Sequence, residues 1–369
     1  MRKDWEYKKL GEVANVVMGQ SPDGSNVNNE NGMEFHQGKI NFGEQFLMKS
    51  DCFTTQVTKV AEKGSILLCV RAPIGIINIT DRDICIGRGL CAIKEKTEVD
   101  NLFLYYYLLN KKLYFEKNST GSTFKAISSK VVLNTPIFLP PKPTQLAIVA
   151  ELDKLNEMIR LKKQQLEDYD QLAQSIFYEM FGDPVENEKG WEVKKISEVS
   201  IYYNGKAHEN DIDESGKYIL INSKFISSEG SVLKRTATQH FPLYKNDVVM
   251  VLSDLPNGKA LGKCCLITKD DIYSLNQRIC CFRGFKGDSH FFKYMINRHP
   301  YFLSFDDGKG QTNLRKKDVE NCPIPLPPLP LQQQFAARIE AIERQKQQVS
   351  ETIKDLETLL ASRMQYWFD

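Results

Sequence analysis

The sequence predicts an α+β protein: two mixed α/β domains joined by two long helices, which form an antiparallel coiled coil with pseudo-twofold symmetry. Three observations predict it: a set of motifs that recurs with an offset near 187 residues, short β-branched runs inside each repeat, and two uninterrupted heptad patterns. A chain of 369 residues is also long enough to bury two separate cores.

The duplication is carried by four pairs of matching segments in the same order. The first segment of each copy is led by a tryptophan, and the third contains Leu-Pro-Pro followed by a glutamine. The matches are residues 5–13 with 191–199, 121–123 with 310–312, 139–145 with 326–332, and 175–181 with 362–368. An offset near 187 is too long for a solenoid repeat, so the chain holds two copies of a domain followed by a linker.

Each copy has the same predicted elements in the same order. Apolar runs rich in β-branched residues, bounded by Gly, Pro, Asn and Asp, are typical of buried strands. Strands are predicted at 65–70 and 74–79 and at 247–252 and 264–267, helices at 101–109 and 290–296, and proline-rich strands at 136–141 and 323–328. The predicted division is a first domain at 1–142, a spacer helix at 143–182, a second domain at 183–329 and a second helix at 330–369.

After each proline cluster the pattern changes to a heptad repeat without Gly or Pro. Spacing of this kind favours helix-on-helix packing, although two helices lying separately on their own domains are the alternative. Lys162, Lys346 and Arg363 interrupt the apolar positions, and the two lysines either fix the register or extend into solvent. The predicted seam comprises Ile148, Leu152, Leu155, Ile159, Leu166, Tyr169, Ala173, Ile176 and Met180, with Phe335, Ile339, Ile342, Val349, Ile353, Leu356, Leu360 and Trp367.

Composition predicts a cytoplasmic globular protein. Hydrophobic residues make up 41% and charged residues 26% of the chain. No run of about 18 apolar residues occurs, so no membrane span is expected, and the first residues lack the apolar region of a secretory signal. The nine cysteines form no Cys-x-x-Cys pair, which favours reduced thiols over disulfides or a zinc site.

Charge is unevenly distributed although the net charge is only +2. The helical segments 144–182 and 331–369 carry net charges of −3 and −1. Because the whole chain is +2, the remaining residues carry +6, which is compatible with phosphate binding.

The length of the predicted helices can be compared with the pitch of DNA. A helix of roughly 35 residues is about 50 Å long, and B-DNA advances about 34–36 Å per turn. Two domains on such helices could therefore contact two sites on one duplex.

The order of these motifs resembles the specificity subunit of type I restriction-modification systems. The resemblance rests on Gly121-Ser-Thr-Phe-Lys125, the Leu-Pro-Pro segments, Met180-Phe-Gly-Asp-Pro184 and the ending at 362–368, and it covers essentially the whole chain. It implies two target-recognition domains that bind a split sequence in double-stranded DNA. It also implies a scaffold for DNA adenine methyltransferase subunits and ATP-dependent restriction subunits, whose cofactors are S-adenosylmethionine, ATP and Mg, with none in this chain.

Residues that read DNA are expected on two loops, 119–125 and 308–317, because both combine hydroxyls, glycine and cations. The alternative is an ordinary solvated loop. Further candidates are cations elsewhere in both copies, including Arg82 and Arg235, although for each of them solvation at the surface is the favoured alternative. Asn276 and Gln277 either read an adenine or cap a strand. Tyr105, Tyr106 and Tyr107 stack on bases or, as their apolar neighbours favour, pack in the core. The predicted DNA-binding set is Lys39, Arg71, Arg88, Ser122, Thr123, Lys125, Lys206, Lys224, Lys259, Lys263, Arg278, Lys309, Thr312, Arg315 and Lys316.

The chain is not expected to be an enzyme. It lacks a phosphate-binding Gly-Lys-Ser/Thr loop and an Asn/Asp-Pro-Pro-aromatic methyltransferase motif, and its five histidines show no metal or triad spacing. Two alternatives remain open: a divergent magnesium nuclease that uses the Glu-x-Lys pairs at Glu6/Lys8 and Glu192/Lys194, and a coiled-coil adaptor whose domains bind protein.

Overall fold

The structure, a computed structural model, describes residues 5–121, 125–208 and 210–369. The chain divides into two compact units. The first ends at Lys163 and includes the C-terminal segment Thr352–Asp369, and the second is Gln164–Glu351. Both long helices cross this division, so each helix contributes one part to each unit.

The first unit contains eleven strands among the described residues, and four short helices precede the first long helix. The strands are β1 Glu6–Lys9, β2 Ala14–Met18, β3 Val27–Asn28, β4 Met33–His36, β5 Phe53–Thr54, β6 Val60–Ala61, β7 Ile66–Cys69, β8 Ile77–Ile79, β9 Ile84–Ile86, β10 Leu90–Glu95 and β11 Pro136–Leu139. The helices are α1 Leu10–Val13, α2 Asn101–Leu109, α3 Lys112–Lys117, α4 Ser129–Leu133 and the long α5 Lys142–Phe181, with 3₁₀ turns at Gly24–Asn26 and Lys39–Asn41.

The second unit has a related order, with one more short helix among its strands and one strand between its last two short helices. Its strands are β12 Glu192–Lys195, β13 Ile201–Asn204, β14 Tyr218–Ile221, β15 Arg235–Thr236, β16 Val248–Val251, β17 Ser253–Asp254, β18 Cys264–Leu266, β19 Tyr273–Leu275, β20 Ile279–Arg283, β21 Thr312–Asn313 and β22 Pro323–Leu326. Its helices are α6 Ile196–Val199, α7 Ser223–Ser227, α8 Ser289–Ile296, α9 Pro300–Leu303, α10 Lys316–Glu320 and the long α11 Leu329–Phe368.

A four-stranded antiparallel sheet is central to each unit, and its strand order is the same in both. The order is β2-β10-β7-β8 in the first unit and β13-β20-β16-β18 in the second. A second sheet packs beside each of them, β3-β5-β4-β9-β6 and β15-β14-β19 respectively. The predicted pair of mixed α/β domains is therefore confirmed.

The central strands read as continuous apolar runs because both faces of the sheet are buried. In β16, Val248 and Met250 face one hydrophobic cluster while Val249 and Val251 face another. The strand β7 divides in the same way between its two faces. Alternation with a period of two places successive side chains on opposite faces. The predicted strand at 74–79 is shorter than expected, since Gly75 turns the chain at φ 79° and β8 begins only at Ile77.

The first and last strands of each unit pair with each other. Glu6 lies opposite Leu139 in the β1–β11 pair, and Glu192 lies opposite Leu326 in the β12–β22 pair. The Trp-led segments and the proline-rich segments, which recur together in the sequence, are thus hydrogen-bonded partners. Proline is tolerated here because each pair has only two strands and both are edge strands.

Segments of the two long helices pack against each other in antiparallel directions within each unit. In the first unit, the Glu151 carboxylate accepts hydrogen bonds from Arg363 Nη2 and Trp367 Nε1, both at 3.0 Å, and Lys163 lies 3.4 Å from Glu357. In the second unit, Lys346 Nζ donates to Asp170 Oδ1 at 2.6 Å and lies 3.3 Å from Glu229 Oε2. The Lys346 side chain is only 12% exposed, which favours the interpretation that it fixes the helix register.

The helices also complete the cores of the units, which the heptad pattern did not predict. Phe177 and Phe181, outside the predicted seam, are buried and lie 5.6 and 5.3 Å from the ring of Phe335. Phe368 occupies the matching place in the first unit, 5.7 Å from Phe103. In each unit the two helix segments therefore pack on the domain core as well as on each other, so the helices do not lie separately on their own domains.

The glutamine of the Leu-Pro-Pro motif ties the proline-rich exit to a helix start. Gln332 is buried, its Nε2 donates to the Pro327 carbonyl at 2.8 Å, and its Oε1 accepts from the Asp288 N–H at 3.0 Å. Gln145 does the same with Pro140 and Asp100. Each aspartate caps a helix, since its carboxylate accepts from the N–H groups two and three residues later.

We expect Asp288→Ala to lower the free energy of unfolding by about 1 kcal/mol, because the first turn of α8 loses its cap. Urea denaturation followed by circular dichroism measures the change. Asp288→Asn, which retains a capping oxygen, is the control and should stay within a few tenths of a kcal/mol of the parent. Equal stability of the alanine variant and the parent would contradict the role of the cap.

Within the described ranges, the structure contains no helix long and apolar enough to cross a membrane.

Candidate nucleic-acid interface

Three backbone segments meet at one end of the central sheet of the second unit. The turn at residues 276–278 connects β19 to β20, and the Arg278 carbonyl accepts a hydrogen bond from the Leu252 N–H at 2.9 Å. The Leu252 carbonyl in turn accepts from the Leu314 N–H at 2.8 Å. The strand β17 pairs with β21, with Asp254 opposite Thr312. The loop of residues 308–317 is thereby held beside the 276–278 turn.

A polar cleft of about 530 Å³ opens between these segments. Its described lining contains three cations, four side-chain amides and no carboxylate. The lining residues are Tyr202, Asn204, Leu252, Ser253, Gln277, Arg278, Gln311, Asn313, Leu314, Arg315 and Lys316. Guanidinium and amide groups are the side chains that read base edges in DNA, so the chemistry of the cleft suits a nucleic acid.

Side chains in the cleft are oriented by neighbours. The Tyr202 hydroxyl donates to Asn204 Oδ1 at 2.6 Å, which fixes the orientation of that amide. Burial raises the pKa of Tyr202 well above its ordinary value, so its hydroxyl stays protonated and remains a donor. Lys316 lies 5.7 Å from the Tyr202 ring and 3.5 Å from Glu320. The Arg315 N–H donates to the Asp318 carboxylate in the first turn of α10. The Arg315 side chain is exposed.

A glycine allows the close approach that builds this end of the sheet. A Cβ on Gly205 would lie 2.1 Å from the Asn276 carbonyl oxygen. In the first unit a Cβ on Gly19 would lie 2.2 Å from the Gly87 carbonyl oxygen. Both positions therefore require glycine, and the two units build the same turn by the same close backbone contact.

The equivalent place in the first unit carries other cations. The Gly89 carbonyl accepts from the Val70 N–H at 2.9 Å, and the Val70 carbonyl accepts from the Ile127 N–H at 3.0 Å. Arg71 follows Val70 and forms a bridge with Ala126, directly after the exposed Lys125. Arg88 is exposed on the turn, and its backbone N–H donates to Ser21 Oγ at 3.3 Å.

Matching hydrogen bonds show that equivalent positions differ in chemistry. Leu252 corresponds to Val70, so Ser253 stands where the first unit has Arg71, and Arg278 stands where it has Gly89. Gln277 correspondingly stands where the first unit has Arg88. The two units share a scaffold at this end of the sheet but present different side chains to solvent.

Most of the predicted cations lie beside the cleft of the second unit or at the equivalent end of the central sheet in the first unit. Lys206 forms a bridge with Asn276 beside the turn, and Lys39 and Lys224 are exposed just beyond β4 and β14. Lys309 lines a neighbouring depression with Asp307 and Asp318. Lys259 is exposed, and Lys263 is half-buried, on the connection between β17 and β18, so both lie outside the lining of the cleft.

Several predicted residues have structural partners instead. The Arg82 guanidinium is paired with Glu34 at 2.6 Å, and Arg235 donates to the Gly216 carbonyl at 3.3 Å. Thr312 is 8% exposed and its hydroxyl contacts Asp306 at 3.2 Å. Asn276 Oδ1 accepts from the Arg278 N–H at 3.1 Å, so this residue shapes the turn, as the capping alternative states.

Other predictions fall in the core or outside the structure. Tyr105, Tyr106 and Tyr107 are buried, which confirms the core interpretation over base stacking. Ser122 and Thr123 lie outside the described residues. The sequence analysis missed Asn204, Gln311 and Asn313, whose signal was weak because single polar residues at strand ends are common.

The Glu-x-Lys pairs lie on the closing strands at the surface. Glu6 and Lys8 are 3.4 Å apart, and Lys8 also lies 2.8 Å from Glu98. Glu192 and Lys194 are 3.2 Å apart. Among the described residues there is no group of three or more metal-ligating side chains.

Comparison with known protein families gives a match to both repeats of the chain. A family model described as the type I restriction modification DNA specificity domain matches residues 2–168 and again residues 188–358. The MjaX type I restriction enzyme specificity subunit of Methanocaldococcus jannaschii is 38% identical over 178 residues, 47% of this chain and 42% of that protein. The MjaIX specificity subunit of the same organism is 24% identical over 92% of this chain and 87% of its own length.

Two solved structures share the fold over nearly the full length. The S subunit of a type I restriction-modification system from M. genitalium has a TM-score of 0.55 at 16% identity, covering 99% of this chain and 96% of that one. A chain from a study of complex assembly and conformational transition in the type I R-M system has a TM-score of 0.60 at 18% identity, with coverages of 100% and 98%. Since the family model matches both repeats, the chain belongs to the type I restriction-modification DNA specificity domain family.

Proposed function

We propose that this chain is the sequence-reading subunit of a type I restriction-modification complex, in which each unit reads one half of a split target in double-stranded DNA. The observation that carries the proposal is the cleft of the second unit. Arg278, Arg315 and Lys316 line it together with four amides, and no carboxylate among the described lining residues opposes a phosphate.

The first unit is proposed to bind DNA through the equivalent end of its sheet. Lys39, Arg71, Arg88 and Lys125 are exposed there. Because Arg88 and Gly89 stand where the second unit has Gln277 and Arg278, the two units are expected to prefer different bases. A split target with two unlike halves follows from these differences.

The long helices are proposed to form a coiled coil that sets the spacing between the half-sites. Each helix has 40 residues, which corresponds to about 60 Å at 1.5 Å per residue. The antiparallel ion pairs within each unit, such as Lys346 with Asp170, support this role because they hold one helix against the other. The domains at 1–142 and 183–329 are then the target-recognition domains, with spacers at 143–182 and 330–369.

Catalysis is assigned to partner subunits. DNA adenine methyltransferase subunits with S-adenosylmethionine, and ATP-dependent restriction subunits with Mg, are the proposed partners. The exposed faces of α5 and α11 are the proposed partner surface. All nine cysteines are free thiols, which fits a reducing cytoplasmic compartment, where such partners and chromosomal DNA are found.

Mapping of methylated adenines across the genome, in cells with and without this chain, tests the proposal. We expect a methylated split motif that disappears when the chain is deleted. Deletion that leaves every methylated motif in place would contradict it. Magnesium-dependent cleavage of plain DNA by the purified chain would instead support the nuclease alternative, and the lack of any salt-sensitive DNA binding would support the protein-binding adaptor.

A further inference from the structure

One connection in the second unit is longer than its counterpart in the first. Equivalent hydrogen bonds define its ends: the Gly75 N–H donates to the Cys69 carbonyl at 3.0 Å, and the Gly262 N–H donates to the Val251 carbonyl at 3.0 Å. The first unit takes four positions from Arg71 to Gly75, and the second takes nine from Ser253 to Gly262. The second unit therefore has five extra residues beside the cleft.

The extra residues form a structured loop. The Asp254 carboxylate accepts hydrogen bonds from the N–H groups of Leu255 at 2.9 Å, Ala260 at 2.6 Å and Leu261 at 3.2 Å. The Asn257 N–H donates to Asp306 Oδ2 at 3.2 Å, which ties the loop to the segment before Lys309. These bonds fix the loop backbone and occupy both oxygens of the Asp254 carboxylate within the loop.

The loop presents a large apolar side chain to solvent. Leu255 is 70% exposed although it directly follows β17, whose partner strand β21 contributes Asn313 to the cleft. The exposed Pro256 and Lys259 flank it in the loop. Four backbone hydrogen bonds and a chain extension hold this exposed leucine beside a cationic cleft, where it is placed for apolar contact with a ligand of the cleft.

We propose that the loop of residues 255–259 is a base-contacting element of the second unit, in which Leu255 makes apolar contact with a DNA base next to the bases that the cleft reads. This inference rests on the proposed function. Two apolar surfaces of DNA fit: the methyl group of a thymine in the major groove, and the face of a base that the side chain unstacks. The first unit has the shorter connection, so this contact belongs to one half-site only.

The test compares the purified full chain with its Leu255→Ala variant on two duplexes, one carrying the methylated motif and one of unrelated sequence. We expect Leu255→Ala to lower affinity for the target duplex about tenfold, because a leucine buried against a base is lost. Affinity for the unrelated duplex should change less than twofold. Leu255→Met should retain most of the target affinity, and Leu172→Ala, the same truncation of an exposed leucine on α5, should leave both affinities unchanged.

Two modified duplexes distinguish the sources of the contact. If Leu255 contacts a thymine methyl, one uracil-for-thymine substitution weakens binding by the parent but not by Leu255→Ala. If Leu255 unstacks a base, 2-aminopurine at that position fluoresces more strongly with the parent than with the variant. Equal target affinity of parent and variant, or an equal loss on both duplexes, would overturn the inference. Absence of any DNA binding by the parent would instead contradict the proposed function.

Discussion

Replacing Arg278 and Arg315 together by alanine is expected to lower the affinity of the chain for its target duplex by about 100-fold, since each guanidinium that contacts a base edge or phosphate contributes roughly tenfold. Both side chains are exposed and line the same cleft. The double variant should remain folded. Among the described hydrogen bonds at this end of the sheet, those of Arg278 and Arg315 involve only the backbone. Titration of a labelled duplex measures the loss.

The salt dependence of binding shows which part of DNA each arginine contacts. A phosphate contact releases counterions, so its loss lowers the slope of log K against log salt by about 1. A base contact leaves that slope nearly unchanged but reduces the preference for the target over unrelated DNA. The single variants, measured at several salt concentrations, separate these effects for each residue.

A matched control removes the same charge elsewhere in the unit. Lys245 precedes β16 and Lys269 follows β18, and Val248 pairs with Leu266, so both lysines lie at the opposite end of the sheet from Arg278. The Lys245→Ala/Lys269→Ala double variant should bind the target within about threefold of the parent, a difference that reflects net charge alone. Equal losses in the two double variants would contradict a specific role for the cleft.

Much of the fold was predictable because its signals are periodic and occur twice. The central strands such as β16 are apolar throughout since both faces are buried, and α2 was predicted at its observed bounds, residues 101–109. The offset of 186 between Trp5 and Trp191 already indicated two copies of one domain. Patterns of this kind reflect which residues within one element are buried, so they can be recognised in the sequence alone.

Contacts between distant segments were not predictable from the same patterns. The heptad pattern placed Phe177 outside the helix seam, and nothing in that pattern indicated that this residue packs into the core of the second unit. Arg82 and Arg88 are both cations on loops of the first unit, yet one is paired with Glu34 and the other is exposed. Cleft residues such as Asn204 emerge only when three segments from different parts of the chain meet.

The second large effect concerns stability and involves the Arg82–Glu34 ion pair. Arg82 contacts both Glu34 oxygens at 2.6 Å, and the Glu34 carboxylate also accepts from the Ser50 N–H at 2.7 Å and lies 2.8 Å from His36 Nε2. Arg82 additionally donates to the Leu47 and Met48 carbonyls at 3.2 and 3.0 Å. The pair therefore joins β4 to the segment 47–50 and to the chain after β8.

We expect Glu34→Gln to lower the free energy of unfolding by about 3 kcal/mol at pH 7, since a partly buried ion pair loses one partner while the guanidinium keeps its charge. Burial alone would raise the pKa of Glu34, but hydrogen bonds from Arg82, His36 and Ser50 outweigh it and hold the pKa at about 2, below the ordinary value of 4.5. The Glu34 side chain is 13% exposed, so solvent screens the interactions of its carboxylate little.

The pH dependence of unfolding tests the same pair independently. A carboxylate with a depressed pKa in the folded state contributes stability that is present above pH 4.5 and is lost as the pH falls toward 2, about 3 kcal/mol in total. Burial likewise lowers the pKa of His36, so protonation of this ring at acidic pH also favours unfolding. Urea unfolding of parent and Glu34→Gln between pH 7 and pH 3 should therefore show a difference that shrinks toward low pH. Glu30→Gln, which removes an exposed carboxylate in the same unit, should show no such convergence, and a constant gap for Glu34→Gln would mean that its cost does not arise from the charge.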